Sequence, residues 1–245
     1  MEAVIIGGGT SGRAIARACA ARGIRARLAS RSTGFDAAHD DAVPALSGAQ
    51  VVIDATSIVT TRASEAIDFF SRTAGRIGAA TKKLGAHYLV LSIVNCDAPG
   101  ARDYGYYAGK IAQERAAQDA GGALTIVRTT QWHEFPGQIL ERLRTGPFCL
   151  VPSMRIQPIA LDAVADLIAE RCLRGPSGAL VQACGPEPMT LWEMTGRFAH
   201  PGATRVPLIV PTAYGRAFRD GTLIPGQDVP RIGPTFEDWL KGRAA

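Results

Sequence analysis

The sequence predicts an α/β protein, a doubly wound parallel sheet with a small carboxyl-terminal portion on the substrate side. Short, almost wholly apolar runs alternate with segments of helical pattern, which implies parallel strands with helices on both faces. A glycine-rich turn joins the first apolar run to the first helix. Beyond residue 185 that alternation stops, as Pro186, Pro188, Pro201, Pro207, Pro211, Pro225, Pro230 and Pro234 separate short pieces.

In chain order, Ala3-Val4-Ile5-Ile6 is a strand ending in glycines, and Arg13 to Arg22 carries alanines, Ile15 and Cys19 that suit a helix lying close on a sheet. A second strand is expected at Ile24 to Ala29, then a loop from Ser30, a helix from Asp41 to Ser47, and a strong strand from Gln50 to Asp54. Helix Ser64 to Leu84 leads to strand His87 to Ser92. Helix Tyr106 to Asp119 leads to strand Ala123 to Arg128, and Ala160 to Leu173 to a strand at Ala179 to Ala183.

Composition narrows the function classes. With 47% hydrophobic and 20% charged residues in 245, the chain buries a sizeable core and is neither disordered nor a repeat array. The net charge of +5 comes from 23 Arg and 4 Lys that are scattered, with no basic stripe interleaved with aromatics, so no nucleic-acid partner is expected. No run approaches the ~18 apolar residues of a membrane helix, and Met1-Glu2 does not open a signal peptide, so a cytoplasmic protein without a membrane partner is expected. Cys19, Cys96, Cys149, Cys172 and Cys184 are odd in number and lack a CxxC, and read as small core residues. The histidines at 39, 87, 133 and 200 have no metal-site spacing, so no metal is expected.

Gly7-Gly8-Gly9-Thr10-Ser11-Gly12 satisfies GxGxxG between a strand and a helix, where backbone N–H groups approach a pyrophosphate and the helix N-terminus stabilises its charge. An acidic residue closing the second strand would accept hydrogen bonds from an NAD ribose. Here Ala29-Ser30-Arg31-Ser32 stands instead, and Arg31, with Ser30 beside it and Arg13 after the last glycine, suits a 2′-phosphate. NADP(H) is therefore the expected cofactor. Residues 1–130 read as the dinucleotide-binding core, and 131–245 as a portion that completes the sheet and covers a substrate pocket, the whole forming one compact unit.

Tyr106-Tyr107-Ala108-Gly109-Lys110 is a YxxxK, for which five tyrosines and four lysines give a chance expectation of about 0.08. The spacing stacks Tyr106 and Lys110 on one helix face, and a nearby ammonium favours the phenolate, so the tyrosine can exchange a proton near neutral pH. Downstream, Gln131-Trp132-His133-Glu134-Phe135 sets a histidine beside a carboxylate, a pair that could orient a substrate or simply be structural.

These motifs in this order, with Asp54-Ala55-Thr56 closing the fourth-strand position, Ser92 after the next strand and Arg128-Thr129-Thr130 following Tyr106 and Lys110, resemble the short-chain dehydrogenase/reductase superfamily. The stretches His87 to Val94, Thr125 to Phe135, Gly185 to Pro188 and Phe236 to Leu240 are similar to its atypical, NmrA-like NAD(P)-binding branch. The resemblance covers nearly the whole chain and departs from the family between Ser32 and Gln50, where one strand is missing. It implies Tyr106 as general acid/base, Lys110 on the nicotinamide ribose, and Ser92 polarising the substrate oxygen. It further implies that Gly7, Gly9, Thr10, Ser11, Gly12, Arg13, Ser30, Arg31, Ala55 and Thr56 contact the cofactor, and that Trp132, His133 and Glu134 face the substrate. The implied activity is hydride transfer to or from a small, moderately hydrophobic carbonyl, alcohol or enone. A non-catalytic dinucleotide sensor, which has no need of the Tyr/Lys pair, and an epimerase or isomerase using bound cofactor transiently are the alternatives.

Overall fold

The protein is described by a computed structural model that covers residues 1–198 and 202–244; His200 and Pro201 lie outside the described residues. The first half runs β1 (Glu2–Ile6), α1 (Thr10–Ala21), β2 (Arg25–Ala29), α2 (Ala42–Leu46), β3 (Val51–Asp54), α3 (Ala63–Leu84), β4 (His87–Ile93), α4 (Gly105–Ala120) and β5 (Leu124–Thr129). There follow α5 (Phe135–Arg142), β6 (Arg144–Thr145), β7 (Phe148–Pro152), β8 (Arg155–Ile156), α6 (Leu161–Arg174) and β9 (Leu180–Ala183). The last part holds β10 (Met189–Thr190), α7 (Leu191–Gly196), β11 (Thr204–Leu208), α8 (Ala213–Asp220) and α9 (Phe236–Ala244).

The chain divides into two compact units. Residues 1–93, 104–128 and 162–182 form the first, so α6 and most of β9 return to the sheet built by the first half. Its six strands lie in the order β2-β1-β3-β4-β5-β9, the doubly wound arrangement that the sequence predicts. The strand order reverses between β1 and β3, the kind of switch point at whose carboxyl edge open α/β sheets bind ligands. The parallel registers Ile6↔Ala29, Ile6↔Asp54 and Asp54↔Val90 align four strands, so Ser30, Gly7, Ala55 and Leu91 follow one another along that edge.

Between Ser30 and Gln50 there is a 3-10 turn and α2 but no strand, so the sheet ends at β2, whose Arg25 and Arg27 are exposed. Val4, Ile6, Val52, Tyr88, Val90 and Ile126 face α2, α3 and α4 in one apolar cluster. The alternate residues Ile5, Ile53 and Leu89 are buried as well, as the period of two along a strand covered on both faces requires. Cys19 of α1 and Cys172 of α6 are hydrogen-bonding neighbours, Arg22 pairs with Asp166 at 2.6 Å across the same helices, and all five cysteines are buried.

The second unit holds residues 94–103, 129–161 and the chain from 183 onward. In place of isolated pieces it builds a three-stranded sheet, β11-β7-β6, with β7 and β11 parallel, and a two-stranded pair of β8 and β10. Phe236 of α9 stacks on Phe198 and Trp239, closing an aromatic core that Phe236 fills at 1% exposure.

Candidate active site

The turn after β1 is shaped by three glycines in three different ways. Gly7 has φ +112°, and a Cβ there would stand 2.7 Å from the Ala55 carbonyl oxygen. A Cβ on Gly12 would stand 1.9 Å from the Gly7 carbonyl oxygen, so the close seating of α1 on the turn requires glycine. Gly9 differs from both: φ is −76°, open to any residue, and an added Cβ would meet nothing within 4 Å. No contact within the chain asks for glycine at position 9.

Gly9 is also the N-cap of α1, without a side-chain cap and without an acidic residue in the first turn, which leaves the positive end of the helix dipole turned to the open space beside it. Thr10 is exposed and Ser11 half-buried. Arg13 curls back over the turn and donates to the Gly8 carbonyl at 2.7 Å. Gly8 faces β2, where a Cβ would come within 2.8 Å of Ser30 Oγ. Ser30 and Ser32 join their hydroxyls at 2.9 Å, the Ser30 amide donates to Thr33 Oγ1, and Arg31 stands exposed on the turn they make.

At the end of β3 a polar network is buried in the sheet. Asp54, fully buried, accepts from the Thr56 amide at 3.0 Å and its hydroxyl at 2.6 Å, from the Tyr88 hydroxyl at 2.8 Å and from Gln113 Nε2 at 2.8 Å. Burial, with the Asp54 carboxylate beside it, pushes the Tyr88 phenol well above its ordinary pKa, so Tyr88 remains a donor. Ala55 is fixed by its amide on the Ile6 carbonyl at 2.9 Å.

Helix α4 delivers the Tyr/Lys pair. A Cβ on Gly105 would lie 2.2 Å from the Thr61 carbonyl oxygen and one on Gly109 2.7 Å from Ala66 Cβ, so these two glycines let α4 approach α3 and the loop before it. Tyr106 is half-buried, edge-on to Phe70 at 5.6 Å, with its hydroxyl 2.9 Å from Ser57 Oγ. Lys110 is 4% exposed; its ammonium donates to the Leu91 carbonyl at 2.6 Å and to Gln113 Oε1, and lies 4.8 Å from the Phe70 ring centroid. Buried charge of this kind persists only when its hydrogen-bonding capacity is met.

Ser92 stands apart from Tyr106 in its bonding. At 2% exposure it donates to Glu114, whose carboxylate is gripped by Arg128 at 2.6 and 2.8 Å. The next residues, Ile93 at the end of β4 and Val94 after it, carry no hydroxyl. Ser57, Gln113 and Glu114 do not stand out in the sequence as site residues. Their one signal is spacing, since Gln113 and Glu114 follow Lys110 by three and four positions on the same helix.

Trp132, His133 and Glu134 belong to the second unit. His133 is fully buried, edge-on to Phe236 and Trp239 at 5.3 Å each, with Nε2 3.1 Å from the Pro158 carbonyl oxygen. Burial lowers its pKa to about 4, so the ring is neutral and Nε2 donates. Trp132 is half-buried and bridges to Ile159, and Glu134 is the N-cap of α5. This unit also has a cleft of about 380 Å³ lined by Gly100, Thr212, Arg216 and Asp220 among others. Phe148 and Trp192 are 48% and 40% exposed.

Among the described residues, no group of three or more His, Cys, Asp or Glu side chains could hold a metal ion, and no helix is long and apolar enough to cross a membrane.

A Gly-rich turn at the switch point of a doubly wound sheet defines a Rossmann-like α/β fold. Solved structures share it along the full chain. The dTDP-4-dehydrorhamnose reductase of Clostridium acetobutylicum superposes with a TM-score of 0.71 at 13% identity, covering 100% of both chains. That of Bacillus anthracis, in complex with NADP, gives 0.73 at 13% identity over 98% of this chain and 97% of that one. The triphenylmethane reductase of a Citrobacter species, complexed with NADP(H), gives 0.67 at 12% over 98% and 99%. No protein-family model matches the sequence, and no curated protein matches it either.

Proposed function

We propose that the chain is an NADP(H)-dependent oxidoreductase of the short-chain dehydrogenase/reductase type, in its NmrA-like branch, with Tyr106 as general acid/base. The observation that carries this reading is Gly9. Packing and backbone geometry account for Gly7 and Gly12, whereas Gly9 leaves an open, uncapped helix end, the kind of site that suits a diphosphate. The NADP and NADP(H) complexes of the similar folds support the same choice.

Gly9, Thr10, Ser11 and the first turn of α1 would hold the pyrophosphate, with Gly7 and Gly12 shaping the turn. Arg31, Arg13 and Ser30 would hold a 2′-phosphate, and Ala55, Thr56 and Lys110 the nicotinamide side. When bound, the dinucleotide would supply the hydride for reduction of a substrate carbonyl, and Tyr106 would give its proton to the oxygen that becomes the alcohol. Lys110 keeps positive charge on the Tyr106 face of α4 and favours the phenolate that remains, which regains its proton from water. Ser92 steadies this helix through Glu114. A small hydrophobic carbonyl or alcohol is the substrate class.

Fluorescence titration of the purified protein with NADPH and NADH tests the reading. Binding with preference for NADPH is expected, abolished in a Gly9→Val variant that still unfolds cooperatively. Undiminished binding by Gly9→Val would remove the dinucleotide from this turn. Tyr106→Phe should bind NADPH normally and lose ~10²-fold or more in turnover.

A further inference from the structure

We propose that Ser57 is the second catalytic hydroxyl of this site, hydrogen-bonding the substrate oxygen beside Tyr106 in the place the family resemblance gives to Ser92. The proposal rests on the oxidoreductase reading and names a residue that reading does not contain.

Three observations converge. Ser57 Oγ lies 2.9 Å from the Tyr106 hydroxyl, and Ser57 is exposed while Tyr106 is half-buried, so the paired hydroxyls are open to an incoming ligand. Ser92, by contrast, is buried with its proton committed to Glu114, a carboxylate that Arg128 also holds. Re-aiming Ser92 would leave a buried ion pair short of a donor, at a penalty that falls on the helix carrying Tyr106.

The third observation is that the Ser57 loop is pinned at both ends. On the β3 side, Asp54 holds the Thr56 amide and hydroxyl, and the Ala55 amide bonds Ile6. On the α3 side, the Thr61 carbonyl is packed against Gly105, the residue before Tyr106, and Thr60 is bonded by Glu65 and the Arg62 amide. The two hydroxyls are thus placed by neighbouring, separately fixed backbone segments.

A serine hydroxyl donates one hydrogen bond and accepts two. It can donate to the substrate oxygen while Tyr106 transfers its own proton to that oxygen, and it undergoes no net proton change. As negative charge grows on the oxygen the Ser57 bond strengthens, the condition for a contribution to turnover. Without substrate, the same hydroxyl can donate to the Tyr106 phenolate and stabilise it.

The test compares wild type, Ser57→Ala, Ser57→Thr and Ser92→Ala by three readouts: NADPH binding by fluorescence, NADPH oxidation with a panel of aldehydes, ketones and quinones, and ultraviolet titration of phenolate in dinucleotide-free protein. The Tyr106 component of the titration is the one lost in Tyr106→Phe. Ser57→Ala should bind NADPH as wild type does, lose ~10²-fold in kcat, and titrate Tyr106 at higher pH, whereas Ser57→Thr restores both. Wild-type turnover and an unshifted titration in Ser57→Ala would overturn the proposal, as would a loss confined to Ser92→Ala. If wild type fails to bind NADPH, the oxidoreductase reading falls and takes the substrate role of Ser57 with it, and the titration still reports separately whether Ser57 and Tyr106 are bonded.

Discussion

Lys110 and Asp54, two buried charges of opposite sign on different elements, are joined through a single amide: Gln113 accepts from the Lys110 ammonium with Oε1 and donates to Asp54 Oδ2 at 2.8 Å with Nε2. The bridge ties α4 to the carboxyl end of β3, and so ties the Tyr/Lys pair to the strand that leads into Ser57. Replacing Gln113 by Leu removes an acceptor from one buried charge and a donor from the other. We expect a loss of at least ~2 kcal/mol in urea unfolding with an unchanged m-value. A loss below ~0.5 kcal/mol would show that neither charge depends on the amide.

Arg31 is exposed and its side chain has no part in the core, so Arg31→Ala should fold normally. NADPH affinity should fall at least ~10-fold through loss of a charge-assisted contact, with NADH affinity unchanged. Equal losses for the two nucleotides would take Arg31 out of the 2′-phosphate role.

Gly9 and Gly12 should separate binding from packing. Gly12→Ala forces a Cβ to within 1.9 Å of a backbone oxygen and should destabilise by ~1–3 kcal/mol or more. Gly9→Ala, with ordinary φ and open space, should stay within ~1 kcal/mol of wild type. Thermal unfolding of the two variants measures the contrast, and similar losses in both would contradict the geometry of the turn.

His133 predicts a signature in acid. The folded state keeps the ring neutral down to pH about 4, while the unfolded chain protonates it near the ordinary histidine value of 6.5. As pH falls from 6.5 to 4 the unfolded state binds the extra proton, so stability declines over that window, by about 3 kcal/mol in all. His133→Gln, which can still donate to Pro158, should show a correspondingly flatter fall of unfolding free energy with acid. Parallel curves for variant and wild type would refute the burial argument.

The first unit was legible in the residues because its signals are local and repeated. Apolar runs such as Ala3 to Ile6 and Val51 to Ile53 are strands buried on both faces, and the helices between them show their period over several turns. Expected boundaries sit within a few residues of the observed ones: Arg13 to Arg22 anticipates Thr10–Ala21, and Tyr106 to Asp119 anticipates Gly105–Ala120. The small sheets of the second unit were not legible. Strands β7 and β11 pair across more than fifty residues, and Pro207 inside β11 argues locally against a strand. Of the candidate site, the glycine turn and the YxxxK announce themselves by spacing. Ser57 does not, since a lone serine in a loop has no period, and its bond to Tyr106 exists only once β3 and α4 are brought together.

Ending the sheet at β2 leaves an outermost strand whose free backbone groups could recruit a strand from another molecule. Arg25, paired with Glu2, and Arg27, donating to the Ser47 carbonyl at 3.2 Å, place two cations along that margin. A second copy laying its own β2 alongside would bring like charges together. The arginines therefore act as gatekeepers, and neutralising both is the change that would favour edge-to-edge aggregation at this end of the sheet.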